Sequence, residues 1–73
     1  MPNRVVEYHI GRLKDKNPEV RLKSINELKL IGDPAALEPL KEVYESDEEA
    51  EVRKAAQDAG RDIFLKQKKS TQT

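Results

Sequence analysis

The 73-residue chain has no cysteine, no tryptophan, a single histidine and only three aromatic side chains, Tyr8, Tyr44 and Phe64. Without cysteine there are no disulfides and no thiolate metal sites. With no signal-peptide pattern at the N-terminus either, the expected compartment is the reducing cytoplasm. No apolar run approaches the roughly 20 residues that span a bilayer, so no membrane partner is expected. The three glycines, Gly11, Gly32 and Gly60, stand alone, which excludes a glycine-rich phosphate loop. Net charge is missing too: 14 basic and 14 acidic side chains cancel at neutral pH.

That cancellation hides three blocks. Residues 1–31 carry a net charge of +3, residues 32–52 carry −7 and residues 53–73 carry +4. Such polarity can orient a partner or a second copy of the chain, although charge also covers the solvent side of any surface helix. A chain of this size buries only roughly 60% of the surface that its unfolded form exposes, so one small domain of modest stability is expected.

What is present is helical periodicity. Pro2 and Pro34 are read as first helical positions, and Asp33 as the cap before Pro34. From Ala35 to Glu45, the side chains Ala36, Leu37, Leu40, Val43 and Tyr44 recur at three- and four-residue steps, one apolar stripe on a helix. An N-terminal segment does the same with Val6, His9, Ile10 and Leu13, and stops before "DKNP", where Asp15, Asn17 and Pro18 supply turn chemistry. Val20, Ser24, Leu28 and Ile31 form the next stripe, which Gly32 ends. The last stripe is Val52, Ala56, Ala59, Gly60, Ile63 and Phe64, preceded by "SDEEAE", with Ser or Asp as its cap and acidic residues in the first turn. Four helices are expected and no strand. Stripes this short are not stable alone, so antiparallel hairpins must bury them against one another. Residues 1–66 form the expected domain, and "QKKSTQT", residues 67–73, a polar disordered tail.

The second half restates the first. Val20-Arg21 returns as Val52-Arg53 at a spacing of 32, as do Ser24 at Ala56, Ile31 at Ile63 and Asp15 at Asp47, each aspartate six residues before its arginine. In the helices that come before, the spacing is 31: Val6 with Leu37, His9 with Leu40, Leu13 with Tyr44. One residue has been added in the second turn, where an exposed backbone tolerates it. A repeated helix–turn–helix, here about 2–32 and 33–66, is the signature of an α-solenoid.

Over residues 4–64 the chain resembles the HEAT-repeat family, most closely the short HEAT-like type first associated with phycobilisome lyases. The carriers are "LKDKNPEVRLKSINELKLIGDPAALEPL", residues 13–40, and "DEEAEVRKAA", residues 47–56. The resemblance implies an all-α fold of two HEAT-like repeats. It also implies a hydrogen-bonded ladder running from repeat to repeat through the turn aspartates and second-helix arginines, here Asp15, Arg21, Asp47 and Arg53. A guanidinium suits that place because its planar fork satisfies a carboxylate and nearby carbonyls together. Gly60 stands at the position of Leu28, which removes a core side chain, costs about 1 kcal/mol of helix propensity and makes a flat face with Ala55, Ala56 and Ala59. Two repeats are fewer than the three or so that usually close a solenoid core, so the stack's edges should stay partly apolar.

No set of side chains points to catalysis. His9 lies on the apolar stripe without the companions of a metal site, and is read as structural. Ser24 is on a helix stripe, Ser46 is read as a cap, and the cluster Asp47, Glu48, Glu49 and Glu51 lacks the glycine and alternating spacing of a calcium loop. No cofactor or metal is expected. Lys66, Lys68 and Lys69 with Arg61 could contact phosphates, but a neutral chain lacking a contiguous basic face is a poor nucleic-acid binder. The surface of the second helices is more promising. The resemblance places that layer on the concave side of the array. Leu22, Asn26 and Leu30 form a stripe there beside Lys54, Asp58 and Asp62, with Arg61 near by. An apolar spot rimmed by charge suits protein docking. The expected function is a non-enzymatic protein-interaction or assembly module, binding another protein or itself. The alternative, an accessory subunit of a bilin lyase or phycobilisome-related complex, comes from the resemblance alone.

Overall fold

The computed structural model describes residues 3–71, with side chains through Lys68. Four helices follow in order: α1 (Arg4–Arg12), α2 (Pro18–Ile31), α3 (Leu37–Ser46) and α4 (Ala50–Thr71), with a 3-10 turn at Pro34–Ala36 leading into α3. α1 packs on α2 and α3 on α4 as two antiparallel hairpins, and α2 lies along α4 to join them. The first three starts each have a local cause. Asn3 Oδ1 accepts from the Val5 and Val6 amides, Asn17 Oδ1 from Glu19 at 2.9 Å and Asp33 Oδ1 from Ala35 at 2.8 Å. Pro2, expected at the first helical position, lies outside the described residues.

The second hairpin opens differently from expectation. Pro34 follows its Asp33 cap but begins a 3-10 turn, and the α-helix starts only at Leu37. Pro39 supplies the reason: a continuous α-helix from Pro34 would ask Pro39 for an N–H toward the Ala35 carbonyl, and would press its ring against that carbonyl. Placed in the first turn of α3, Pro39 is tolerated because no donor is needed there. Ser46 is no cap, since its hydroxyl donates to the Glu42 carbonyl; Asp47 Oδ1 accepts from the Glu49 amide, 2.9 Å away, just ahead of α4.

α2 ends where Gly32 takes a left-handed conformation, φ 74°, which a side chain would strain. α4 does not stop at Lys66 before a disordered tail, as the polar sequence suggests, but runs as helix to Thr71. Its last turns close off the end of α2. Gln67 Nε2 donates to the Gly32 carbonyl at 3.2 Å, and Lys66 Nζ reaches the Lys29 carbonyl at 3.5 Å, satisfying carbonyls that the end of α2 leaves without partners. Gln72 and Thr73, the end of the expected tail, lie outside the described residues.

The core comprises Val6, Leu13, Ile25, Leu28, Ala36, Leu40, Val43, Val52, Ala56, Ala59 and Ile63. Pairing equivalent positions of the two repeats separates its layers. Ser24 and Ala56 are buried in both, so they belong to the inside of each hairpin. Leu13, Ile25 and Leu28 are buried, but their equivalents Tyr44, Gln57 and Gly60 are not; Ala36, Ala59 and Ile63 are buried, but their equivalents Val5, Glu27 and Ile31 are exposed. The first set is therefore the forward face of repeat one and the second the rear face of repeat two, pressed together. Val20 and Ile31 sit on the uncovered rear of repeat one, which is why they are less buried than their stripe suggests.

Candidate protein-docking site

Where the two hairpins meet, Arg21 is a buried cation. Its Nη1 donates to the Asp15 carbonyl at 2.7 Å and the Lys16 carbonyl at 3.2 Å, both in its own repeat's turn. Its other edge faces the next repeat: Nη2 donates to Asp47 Oδ1 at 3.2 Å, and Nε lies 2.8 Å from Asp47 Oδ2 as an ion contact without hydrogen-bond alignment. Both side chains are more than nine-tenths buried. This is one rung of the expected ladder. Arg53 makes only the equivalent carbonyl bond, Nη1 to Asp47 O at 2.6 Å. The Asp15 carboxylate accepts from the Asn17 amide and touches Arg12 at 3.8 Å, so it joins no arginine of another repeat.

The outer surface of α2 and α4 divides the predicted site residues. Leu30 is 75% exposed, more than any other large apolar side chain described, and Asn26, Lys54, Asp58 and Arg61 are exposed as well. Leu22 is not part of an open stripe: it is half-buried and packs on the core. Four residues before Leu30 and eight before it are not equivalent on a 100° helical wheel, and the drift carries Leu22 toward Ile25. Asp58 is held by Lys29, whose Nζ donates to Asp58 Oδ2 at 2.7 Å across the two helices, and Asp62 is held by Lys66 at 3.3 Å. The Lys29 hydrogen bond, then its charge, lowers the Asp58 pKa, and the same contact raises that of Lys29. Both aspartates are paired within the surface, whereas Lys23, Lys54 and Arg61 have no ion-pair partner among the described residues, and Glu19 and Glu51 are exposed on the same helices.

On the opposite layer, α1 and α3 leave an open groove of about 570 Å³ whose walls include Ile10, Leu13, Pro39, Val43, Glu42 and Glu48. Periodicity treated Ile10, Leu13 and Val43 as core and did not disclose the groove. His9 is half-buried, edge-on to Tyr8 with ring centroids 5.2 Å apart, and its buried Nδ1 has no hydrogen-bond partner. No group of three or more metal-ligating side chains is found among the described residues. No helix there is long and apolar enough to cross a membrane.

Two helical hairpins stacked forward face on rear face and tied by a repeat-to-repeat arginine define a short α-solenoid. A family model described as HEAT repeats matches residues 2–60, and the chain belongs to the HEAT-repeat family. Proteins of this family generally act as protein-interaction scaffolds and are typically non-enzymatic. No curated protein and no solved structure matches the chain.

Proposed function

We propose that the chain is a docking module that holds a protein partner on the outer surface of α2 and α4. One observation carries the reading: Leu30, the most exposed of the large apolar side chains described, shares its helix surface with exposed Asn26. An exposed leucine next to the Lys29–Asp58 pair, with Arg61 and Lys54 further along α4, suits a partner that offers an apolar side chain flanked by carboxylates, and that pair holds part of the rim in place before binding. Lys54, Asp58 and Arg61 set register and on-rate here, while Leu30 supplies desolvation. Cytoplasmic residence, from the lack of cysteine, fits the same reading.

The experiment compares wild type with Leu30→Asp and Arg61→Glu for retention of partner protein, with thermal melting as control. Both variants should melt as wild type does and lose the partner. Unchanged retention would move the site elsewhere.

A second reading is favoured by the α1–α3 groove, whose apolar walls and glutamates suit a basic amphipathic segment. The accessory-lyase alternative is supported only by the sequence resemblance. Mixing the chain with a bilin tests it, and an unchanged absorption spectrum would leave no direct pigment contact.

A further inference from the structure

The rung between Arg21 and Asp47 has two unfinished neighbours, one at each end of the stack. Arg53 repeats the carbonyl bond of Arg21, at 2.6 Å against 2.7 Å, but no carboxylate among the described residues pairs with it. Asp15 repeats the turn bond of Asp47: each Oδ1 accepts a backbone amide two residues on at 2.9 Å. Its nearest cation is Arg12 at 3.8 Å, a solvent-exposed contact of little strength. By repeat equivalence, an arginine prepared as Arg21 is and an aspartate prepared as Asp47 is belong to opposite ends of the stack, although Asp15 also borders the α1–α3 groove.

The faces around them differ from the buried inter-repeat faces at several equivalent positions. On the forward face of the second repeat, Lys41 stands in the place of Ile10, Gln57 in that of Ile25 and Gly60 in that of Leu28. On the rear face of the first repeat, Glu27 stands in the place of Ala59 and Val5 in that of Ala36. At these positions the forward face has gained a positive charge and the rear face a negative one, while Glu45 in the place of Lys14 on the first and Arg12 in that of Val43 on the second run the other way. Tyr44 on one and Val5 and Ile31 on the other keep exposed apolar area for the contact.

We infer that the chain stacks end to end on copies of itself, the Arg53 guanidinium of one copy taking the Asp15 carboxylate of the next. The contact continues the interface between the two repeats within one chain. Because it joins unlike faces, it does not close at two copies, and it builds linear arrays whose mean length grows with concentration. It uses the end faces of the stack and not Leu30, so it stands apart from the docking proposal: Leu30→Asp leaves stacking unchanged.

Sedimentation equilibrium from about 10 μM to about 1 mM tests it, a range that brackets weak association. The weight-average mass of wild type should climb from 8.3 kDa without a plateau at twice that value. Arg53→Glu should hold it at the monomer. Asp15→Asn, which keeps the oxygen that caps Asn17, should weaken association by about tenfold or more with unchanged helical circular dichroism. Arg53→Glu mixed with Asp15→Lys should associate although neither does alone. A wild type that stays monomeric throughout, a dimer that closes, or association indifferent to Arg53→Glu and to Asp15→Asn would each overturn the inference; should Asp15→Lys fail to fold, those two variants still decide.

Discussion

Arg21 binds Asp47 across the two repeats with the same guanidinium that holds the Asp15 carbonyl in its own turn. Turn, hairpin and inter-repeat contact are thereby coupled through one side chain. A two-repeat solenoid has a single such interface, so the pair should matter more here than one rung among many does in a long array.

Removing one partner should show this. Asp47→Asn keeps an oxygen for the Glu49 amide but leaves a buried guanidinium without its carboxylate, a change that costs about 3 kcal/mol. For a domain this small that approaches the whole stability, and urea unfolding should show a midpoint near zero denaturant. Arg21→Met combined with Asp47→Asn should recover part of the loss, because no unpaired charge remains. A single variant within about 1 kcal/mol of wild type would contradict the coupling.

Leu22 and Leu30 make an internal control. Leu22→Asp puts a charge against the core and should destabilise by about 2–3 kcal/mol or more, whereas Leu30→Asp should stay within about 0.5 kcal/mol. Thermal melts followed by circular dichroism separate them, and equal losses would mean that both leucines are core.

Gly32 and Gly60 should answer alanine in opposite directions. A methyl at Gly60 meets nothing within 4 Å, so Gly60→Ala should stabilise α4 by up to about 1 kcal/mol. Gly32→Ala forces a side chain into φ 74° and should cost about 1 kcal/mol. Urea midpoints that move in the same direction for both would refute this assignment.

The Lys29–Asp58 pair predicts a pH window. Asp58 is shifted down, first by the Lys29 hydrogen bond and then by its charge, so its contribution is present above the ordinary aspartate value and is lost as pH falls through the lowered one. Lys29 is shifted up by the same contact, so its contribution is present below 10.5 and is lost as pH rises past the raised value. The melting difference between wild type and Asp58→Asn should be flat from about pH 5 to about pH 9, vanish in acid, and shrink in salt because both groups are exposed. A difference that keeps growing below about pH 3 has the wrong sign for this pair.

The apolar stripes, the Asp33 cap and the Gly32 stop were legible because they follow from local rules: helical periodicity, side-chain acceptors and the left-handed tolerance of glycine. Ile25 was missed because its equivalent in the second repeat is Gln57, so comparing the repeats hides a residue that only the interface buries. The extension of α4 was missed for a related reason. Its last turns contribute hydrogen bonds to the end of α2 and no apolar stripe, which periodicity does not register. The ladder was legible by resemblance as four residues, but only the Arg21–Asp47 rung has both of its members in adjacent repeats. Of the docking candidates, helical drift along α2 already separates Leu22 from Leu30, but how far Leu22 is covered depends on where α4 lies against α2.

The docking surface is tested most directly by a photoreactive side chain placed at position 30 and, in a second variant, at position 42 in the opposite groove. Crosslinking in cells followed by mass spectrometry should give one partner adduct from position 30, through a segment rich in Asp and Glu, and none from position 42. An adduct from position 42 alone would overturn the docking proposal and assign the partner to the groove between α1 and α3.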